Sequence, residues 1–393
     1  MKLYLLTALI TAALTFALSW AVWRIALRYK LYPAVRERDV HRRPTPRLGG
    51  VAMFLGIVAA FLISRAFEFF DIIWIEPRVV WSVLGATVVI ALIGLADDLW
   101  DLDWFIKLGA QFLAAGIVAI GGGVQIYALP IGGIAVWSSS VSIILTMFAI
   151  VIVMNAVNFI DGLDGLVAGV CLIANGVFFI YSYILVRDAG ATTYANLGTF
   201  IAAVVIGACA GFLPINWNPA KMFMGDTGAL VIGLLMATSG IAITGQIQPA
   251  ALDPDVTGRS QILGTLIPVI LPLIVVLLPL LDFGLAVIRR MSRGKSPFSP
   301  DREHLHHRML DMGHSDRAAT LIFYAWTAIA SLTVLLMYIF TGEDWFGGHW
   351  FGEYWLAVAY GVIGIAACLV LALVPSRTAR RSDAAGEEDA HVG

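Results

Sequence analysis

Residues 79–101 read "VVWSVLGATVVIALIGLADDLWD". The first eighteen positions carry no charge, and three aspartates, Asp97, Asp98 and Asp101, then arrive within five. An apolar run of about 20 residues crosses a ~30 Å hydrocarbon layer as a helix. Carboxylates at membrane depth face a cavity or an ion rather than lipid. The stretch therefore predicts a membrane helix that delivers carboxylates to one face of the bilayer.

The rest of the chain follows the same plan. It has 393 residues, 60% apolar and 13% charged, against about 45–50% and about 25% in soluble domains. That balance predicts an all-α polytopic membrane protein. The absence of ten-residue alternating strands argues against an outer-membrane barrel. A net charge of −2 gives no electrostatic footprint for nucleic acid. Eleven spans are expected, near 3–23, 49–67, 79–96, 105–121, 140–157, 164–186, 194–213, 228–247, 262–288, 317–340 and 354–374. The first lacks a small-x-small cleavage site and runs into basic residues, so it reads as an anchor rather than a secretory signal. Between the fourth and fifth spans, "VQIYALPIGGIAVW" (124–137) is too short and too broken by Gly and Pro for a helix, and it predicts a small hairpin. Cys171, Cys209 and Cys368 lie within apolar runs and read as packing residues. Residues 1–375 are expected to form one membrane domain, and the polar tail 376–393 to be disordered.

Lysine and arginine placement sets orientation. With the N-terminus outside and the C-terminus inside, 20 of the 25 Lys and Arg residues fall in cytoplasmic segments or at their edges. The hairpin then lies on the periplasmic side. Five polar clusters fall on the cytoplasmic side of the same scheme: "HRRPTPRLGG" (41–50), "GLADDLWD" (94–101), "NAVNFIDGLDGL" (155–166), "NWNPAKMFMGDTGAL" (216–230) and "DREHLHHR" (301–308).

Each cluster has a plain reading beside a chemical one. Asp97 and Asp98 mark a helix end or hold a cation. Asp161 and Asp164 share a helix face at i, i+3 or cap a turn. Asp226 is a helix cap, or a carboxylate for a divalent ion beside an N-terminus that attracts phosphate. On a helix His304 and His307 share a face and His306 points away, which disfavours one zinc ion for all three. With Arg302 and Arg308 the histidines suit phosphate oxygens, or they form a solvated loop. Together, carboxylates for Mg²⁺ and basic groups for phosphate on one membrane face describe phosphoryl transfer between a soluble and a lipid substrate. A transporter would place its carboxylates near the bilayer midplane, whereas these sit at span ends.

The ordered set "PTPRLGG", "ADDLWD", "NAVNFIDGLDGL", "NPAKMFMGDTGAL" and "SPFSPDREHLHHR" resembles the motifs of the polyprenyl-phosphate N-acetylhexosamine-1-phosphate transferases, the glycosyltransferase 4 family, from about Arg36 to Gly313. The His-x-His-His pattern looks like the WecA and TagO branch; the MraY branch carries three consecutive histidines. The CDP-alcohol phosphotransferases fit less well, because "DGLDGLVAG" lacks their arginine. The resemblance implies an eleven-helix enzyme of the bacterial inner membrane, commonly a homodimer. The reaction it implies moves GlcNAc-1-phosphate from UDP-GlcNAc, or another UDP-N-acetylhexosamine, to undecaprenyl phosphate and releases UMP. A phospho-MurNAc-pentapeptide transfer is the related alternative. By the same resemblance Asp226 is a ligand of Mg²⁺, with Mn²⁺ a possible substitute. Asp97 deprotonates or orients the lipid phosphate, and Asp98 is its partner near the metal. Asn158, Asp161 and Asp164 lie by the nucleotide, with Asp164 at uracil; Phe223 stacks on uracil and Asn216 is a polar contact. Arg302, His304, His306 and His307 take the pyrophosphate or sugar, and Arg42, Arg43 and Arg47 bind phosphate or headgroups.

Overall fold

The computed structural model describes residues 1–32, 45–130, 134–136, 138–189, 193–244, 291–292, 294, 309–340 and 354–373. The expected span at 262–288, the tail 376–393, and Arg42, Arg43, Arg302, His304, His306 and His307 lie outside the described residues. The helices are α1 (Lys2–Tyr29), α2 (Gly49–Ser64), α3 (Pro77–Trp100), α4 (Trp104–Gly116), α5 (Ser139–Phe159), α6 (Leu166–Ala189), α7 (Thr193–Asn216), α8 (Gly225–Thr244), α9 (Asp316–Phe340) and α10 (Tyr354–Leu373). Each overlies one of the expected spans. Among the described residues, nine helices are long and apolar enough to cross a membrane, and the chain is a multi-pass membrane protein. The span expected at 49–67 departs from a straight rod. There α2 ends after 16 residues and turns by 107° into a 3₁₀ segment, Glu68–Trp74. Helix α4 gains its length from a π turn at Ile117–Gly121. The expected hairpin is present, with β1 (Ala128–Pro130) antiparallel to β2 (Ile134–Val136) and Ala128 opposite Val136.

Local chemistry explains the helix ends that matter for the site. Helix α3 begins on Pro77, where a missing N–H costs nothing. It ends at Asp101, whose φ of 57° is left-handed and whose N–H returns to the Asp97 carbonyl; aspartate tolerates that region better than most residues. Two residues later Asp103 caps α4 by accepting the Phe105 N–H at 2.8 Å. The connection between the two helices is thus short and fixed, and it sets Asp97 beside the first turn of α4.

Small residues bring backbones together, as expected where lipid provides no hydrophobic drive for helix pairing. A Cβ on Gly207 would sit 2.4 Å from the Ala8 carbonyl oxygen, and one on Gly211 2.2 Å from that of Ala12, so α7 lies directly on α1. Helix α8 is almost wholly buried, surrounded by α2, α3, α5 and α7. By contrast α1 and α10 leave most of their surface open. Cys171, Cys209 and Cys368 are buried and free of disulfides.

The bundle has two distinct ends. At one, Arg78 at the start of α3 donates through Nε to the Gly121 carbonyl at 2.6 Å, and Tyr194 at the start of α7 donates to Glu76 at 3.2 Å. At the other end meet the start of α2, the end of α3, the start of α4, the ends of α5 and α7, and the starts of α6, α8 and α9. The polar motifs collect there.

Candidate active site

The end of α3 faces the first turn of α8. The Asp97 carboxylate has two tasks. Its Oδ1 accepts the Leu102 N–H at 2.8 Å, fixing the turn after α3, and its Oδ2 accepts from Lys107 Nζ at 3.0 Å. Lys107 also reaches Asp226 Oδ2 at 3.3 Å, so one ammonium lies between two carboxylates from different helices. Asn158 donates to that same Asp226 oxygen at 3.4 Å. Behind this cluster, Gln111 and Asn155 tie α4 to α5 through a 2.6 Å bond from Asn155 Nδ2 to Gln111 Oε1. Lys107 and Gln111 are four residues apart and share the face of α4 that meets α5.

Asp98 points elsewhere. Its Oδ1 accepts the Asp226 N–H at 2.9 Å, and its Oδ2 accepts the Thr227 N–H at 3.1 Å and the Thr227 hydroxyl at 2.7 Å. The segment before α8 is pinned from the other side. Phe223 donates its N–H to the Pro46 carbonyl at 2.9 Å, and Gly49 and Gly50 donate to the carbonyls of Phe223 and Met224 at 3.0 and 2.8 Å. Pro46, Gly49 and Gly50 therefore pair backbone to backbone with Phe223 and Met224.

Asp161 sits in the turn after α5, partly open to water. Its carboxyl is pushed up to about 7, first by burial, then by the Asp226 and Asp98 carboxylates, with Asp164 adding and Arg47 opposing. Arg47, exposed just before α2, is thus a guanidinium acting on this group. Asp164 is turned inward and only 4% exposed. Its Oδ2 accepts from Asn218 Nδ2 and from the Ala220 N–H, both at 3.0 Å. Asn216, equally buried, accepts the Gly165 N–H at 3.1 Å and donates to the Met222 carbonyl at 3.0 Å. Helix α9 closes this side. Asn218 donates to Asp316 at 3.3 Å, Arg317 donates twice to the Asn218 carbonyl, and Thr320 and Tyr324 donate to the carbonyls of Asp164 and Gly165.

The structure therefore brings Asp97, Asp226 and Asn158 into direct contact through Lys107 and the Asp226 carboxylate, with Asp161 close enough to feel Asp226 and Asp98. It gives Asp98, Asp164 and Asn216 structural bonds that sequence reading did not anticipate, and it leaves Phe223 half-buried beside them. Lys107 enters the sequence reading only as one of the 25 Lys and Arg residues, yet it is the one charge inside "WFIKLGAQFLAAG", and a lone charge in an apolar helix is itself a pointer to a site. Thr227, Asn218, Arg317 and Tyr324 carried no such signal.

Among the described residues no three His, Cys, Asp or Glu side chains form a ready-made metal cage. The donors present are hard carboxylate oxygens with a cation already drawn between two of them. That suits Mg²⁺, which takes one or two carboxylates and completes its shell with water and phosphate oxygens.

The comparisons with known proteins agree with the motif reading. A family model described as "Glycosyl transferase family 4" matches residues 80–244, the segment from α3 through α8. A Mycobacterium tuberculosis (strain H37Rv) protein named decaprenyl-phosphate N-acetylglucosaminephosphotransferase is 39% identical over 342 residues, 86% of this chain and 83% of its own length. A Bacillus subtilis (strain 168) protein named probable undecaprenyl-phosphate N-acetylglucosaminyl 1-phosphate transferase is 31% identical, covering 80% of each chain. A Corynebacterium urealyticum phospho-N-acetylmuramoyl-pentapeptide-transferase is 33% identical over 53% of this chain and 66% of its own. With the motifs in order and the carboxylates joined at one end of a membrane bundle, the chain belongs to the polyprenyl-phosphate N-acetylhexosamine-1-phosphate transferases of glycosyl transferase family 4.

Proposed function

We propose that the protein transfers GlcNAc-1-phosphate from UDP-GlcNAc to a polyprenyl phosphate, as the first membrane step of a cell-envelope polysaccharide of the O-antigen, common-antigen or teichoic-acid kind. The observation that carries this reading is the contact of Asp97, Asp226 and Asn158 around Lys107 at the ends of membrane-length helices. The N-acetylglucosamine relatives cover 80% or more of the chain and the muramoyl-pentapeptide relative 53%, which favours GlcNAc as the sugar. The acceptor is undecaprenyl phosphate by the motif resemblance; the mycobacterial relatives carry decaprenyl in their names.

In the reaction an acceptor phosphate oxygen bonds to the β-phosphorus of the donor. The bond from that phosphorus to the bridging oxygen breaks, and UMP leaves with the electron pair. Asp226 would hold Mg²⁺, or Mn²⁺ in its place, and the ion would neutralise the donor pyrophosphate; Asp98, expected as its partner near the metal, gives both oxygens to the first turn of α8 instead. Lys107 holds Asp97 and Asp226 at a fixed separation and adds positive charge where phosphate oxygens gather. Asp97 Oδ2 orients the acceptor phosphate or takes its proton. Arg47 stands beside Asp161 as a phosphate contact, and Asn158 keeps Asp226 in its rotamer. Residues Arg42, Arg43, Arg302, His304, His306 and His307 complete the phosphate and sugar contacts in this reading.

The site end is cytoplasmic in the bacterial inner membrane by the lysine and arginine distribution. Helix α8 leaves the site end at Gly225 and runs ~30 Å to Thr244, while α9 opens at the site end with Asp316 bound to Asn218. That pairing supports one more crossing between them, the span expected at 262–288. A homodimer belongs to the same reading. The deciding assay presents the purified protein with radiolabelled UDP-GlcNAc, UDP-GalNAc or UDP-MurNAc-pentapeptide, and with decaprenyl or undecaprenyl phosphate. Label entering lipid from UDP-GlcNAc, and lost with EDTA, is the expected result; transfer from another donor alone overturns the sugar assignment.

A further inference from the structure

We propose that Asp98 is a positioning residue: its carboxylate is the N-terminal cap of α8, supplied from α3, and it sets where Asp226 stands. The inference is drawn from the contact of α3 with α8, and only its kinetic consequence rests on the transferase reading above.

A helix leaves its first N–H groups without partners, and a Ser, Thr, Asp or Asn just before it commonly accepts one. Helix α8 opens on Gly225 after Phe223 and Met224, and none of the three has an accepting side chain. Its first donors go to Asp98 instead. Both carboxylate oxygens are used, by the N–H groups of Asp226 and Thr227 and by the Thr227 hydroxyl. A carboxylate at this end also suits the helix dipole.

The glycines show that this fit is built into the packing. Gly225 has φ +72°, and a Cβ there would lie 2.6 Å from both Asp98 oxygens and 2.8 Å from the Arg47 carbonyl. The carboxylate fills the space a side chain would take. Gly94, one turn earlier on the same face of α3, would place a Cβ 2.5 Å from Thr227 Cα. On the third side, a Cβ on Gly50 would lie 2.1 Å from the Gly228 nitrogen. Glycines of α2 and α3 thus admit the first turn of α8 to backbone contact, and Asp98 closes it with charge. Asp97, its neighbour in sequence, faces Lys107. The two aspartates do different jobs, one towards the chemistry and one towards the helix that carries Asp226.

The test compares Asp98→Asn, Thr227→Val and Thr227→Ser in purified protein, reading the metal-free apparent Tm, Mn²⁺ affinity by titration, and steady-state kinetics well below Tm. A cap predicts that Asp98→Asn lowers the metal-free Tm by ~3 °C or more and keeps one bound Mn²⁺ within ~10-fold of the parent affinity. Thr227→Val should show the same pattern more weakly. Its kcat should fall ~10-fold with KM for the donor little changed, because the carboxylate of Asp226 is misplaced rather than removed. Thr227→Ser, which keeps the hydroxyl, should restore most of that loss. A metal-ligand role predicts the reverse: Mn²⁺ binding lost in Asp98→Asn, a metal-free Tm unchanged or raised as a like charge is removed, and a silent Thr227→Val. That result would overturn the proposal. The Tm and Mn²⁺ readings decide the role of Asp98 even if no sugar transfer is detected, so failure of the transferase reading is recognised separately.

Discussion

Replacing Asp161 by Asn should stabilise the metal-free protein, and only at the higher end of the pH range. The carboxyl of Asp161 is held up to about 7 by burial and by the carboxylates of Asp226, Asp98 and Asp164, with the charge of Arg47 opposing. In the unfolded chain it behaves as an ordinary aspartate near ~3.9. Between those values the folded protein keeps a proton that the unfolded chain releases, so stability falls as pH rises through the window. The loss is absent below about pH 4 and complete above about pH 7. Full linkage corresponds to ~4 kcal/mol; the group is partly open to water, and screening brings the expectation to ~2 kcal/mol. For a protein of this size that is a rise in apparent Tm of ~4 °C. The measurement is the Tm difference between Asp161→Asn and parent in EDTA at pH 4.5, 6 and 8. A gain that grows with pH supports the crowded-carboxylate account. A gain independent of pH, or none at pH 8, refutes it.

Asp226→Asn should lower kcat at least ~100-fold, because the group that would hold the ion loses its charge; near-parent turnover would leave Asp226 a first-turn residue of α8 and nothing more. Tyr324→Phe removes the hydroxyl that bonds the Gly165 carbonyl while keeping the ring, so it should cost ~1 kcal/mol and raise KM for the sugar nucleotide more than KM for the lipid, as two separate substrate titrations would show. Single cysteines in the 296–303 loop should react with an impermeant maleimide only after cells are opened, and labelling in intact cells would reverse the orientation. Arg302→Ala, His304→Ala and His306→Ala should each slow transfer ~10-fold, as loss of a charge-assisted hydrogen bond to phosphate does; stoichiometric zinc that vanishes with activity in the histidine variants would replace the phosphate clamp by a metal site.

The spans were legible because length and apolarity are summed over about 20 residues, and a sum survives local irregularity. The break of α2 at Ser64 was not, since no proline or glycine marks it in "SRAFEFF". The hairpin at 128–136 was readable from its Gly and Pro residues. The carboxylates of the site announced themselves as charge in oil, but their division of labour did not. Asp97 and Asp98 are adjacent in sequence, and ~100° of helix rotation separates their directions, so one meets Lys107 and the other meets α8. Which is which depends on how α3 is rotated, and that is fixed by Gly94 lying against Thr227. Asp164 and Asn216 look like ligand contacts in a one-dimensional motif because the loops they hold together, 164–165 and 216–222, are far apart in the chain.

The burial of α8 bears on how the protein is made. A helix threaded into a bilayer alone must be apolar enough to leave water for lipid, and α8, with its Asp, Thr, Ser and glycines, is a weaker candidate than α3 or α5. Its neighbours α2, α3, α5 and α7 all precede it in the chain. As the polypeptide emerges from N- to C-terminus, those four are in the membrane before α8 is synthesised. The helix can then enter a slot already lined by protein, with the Asp98 carboxylate waiting to receive two N–H groups of its first turn. The order of the segments along the gene thus lets α8, one of the less apolar helices and the one that carries Asp226, enter after the four that surround it.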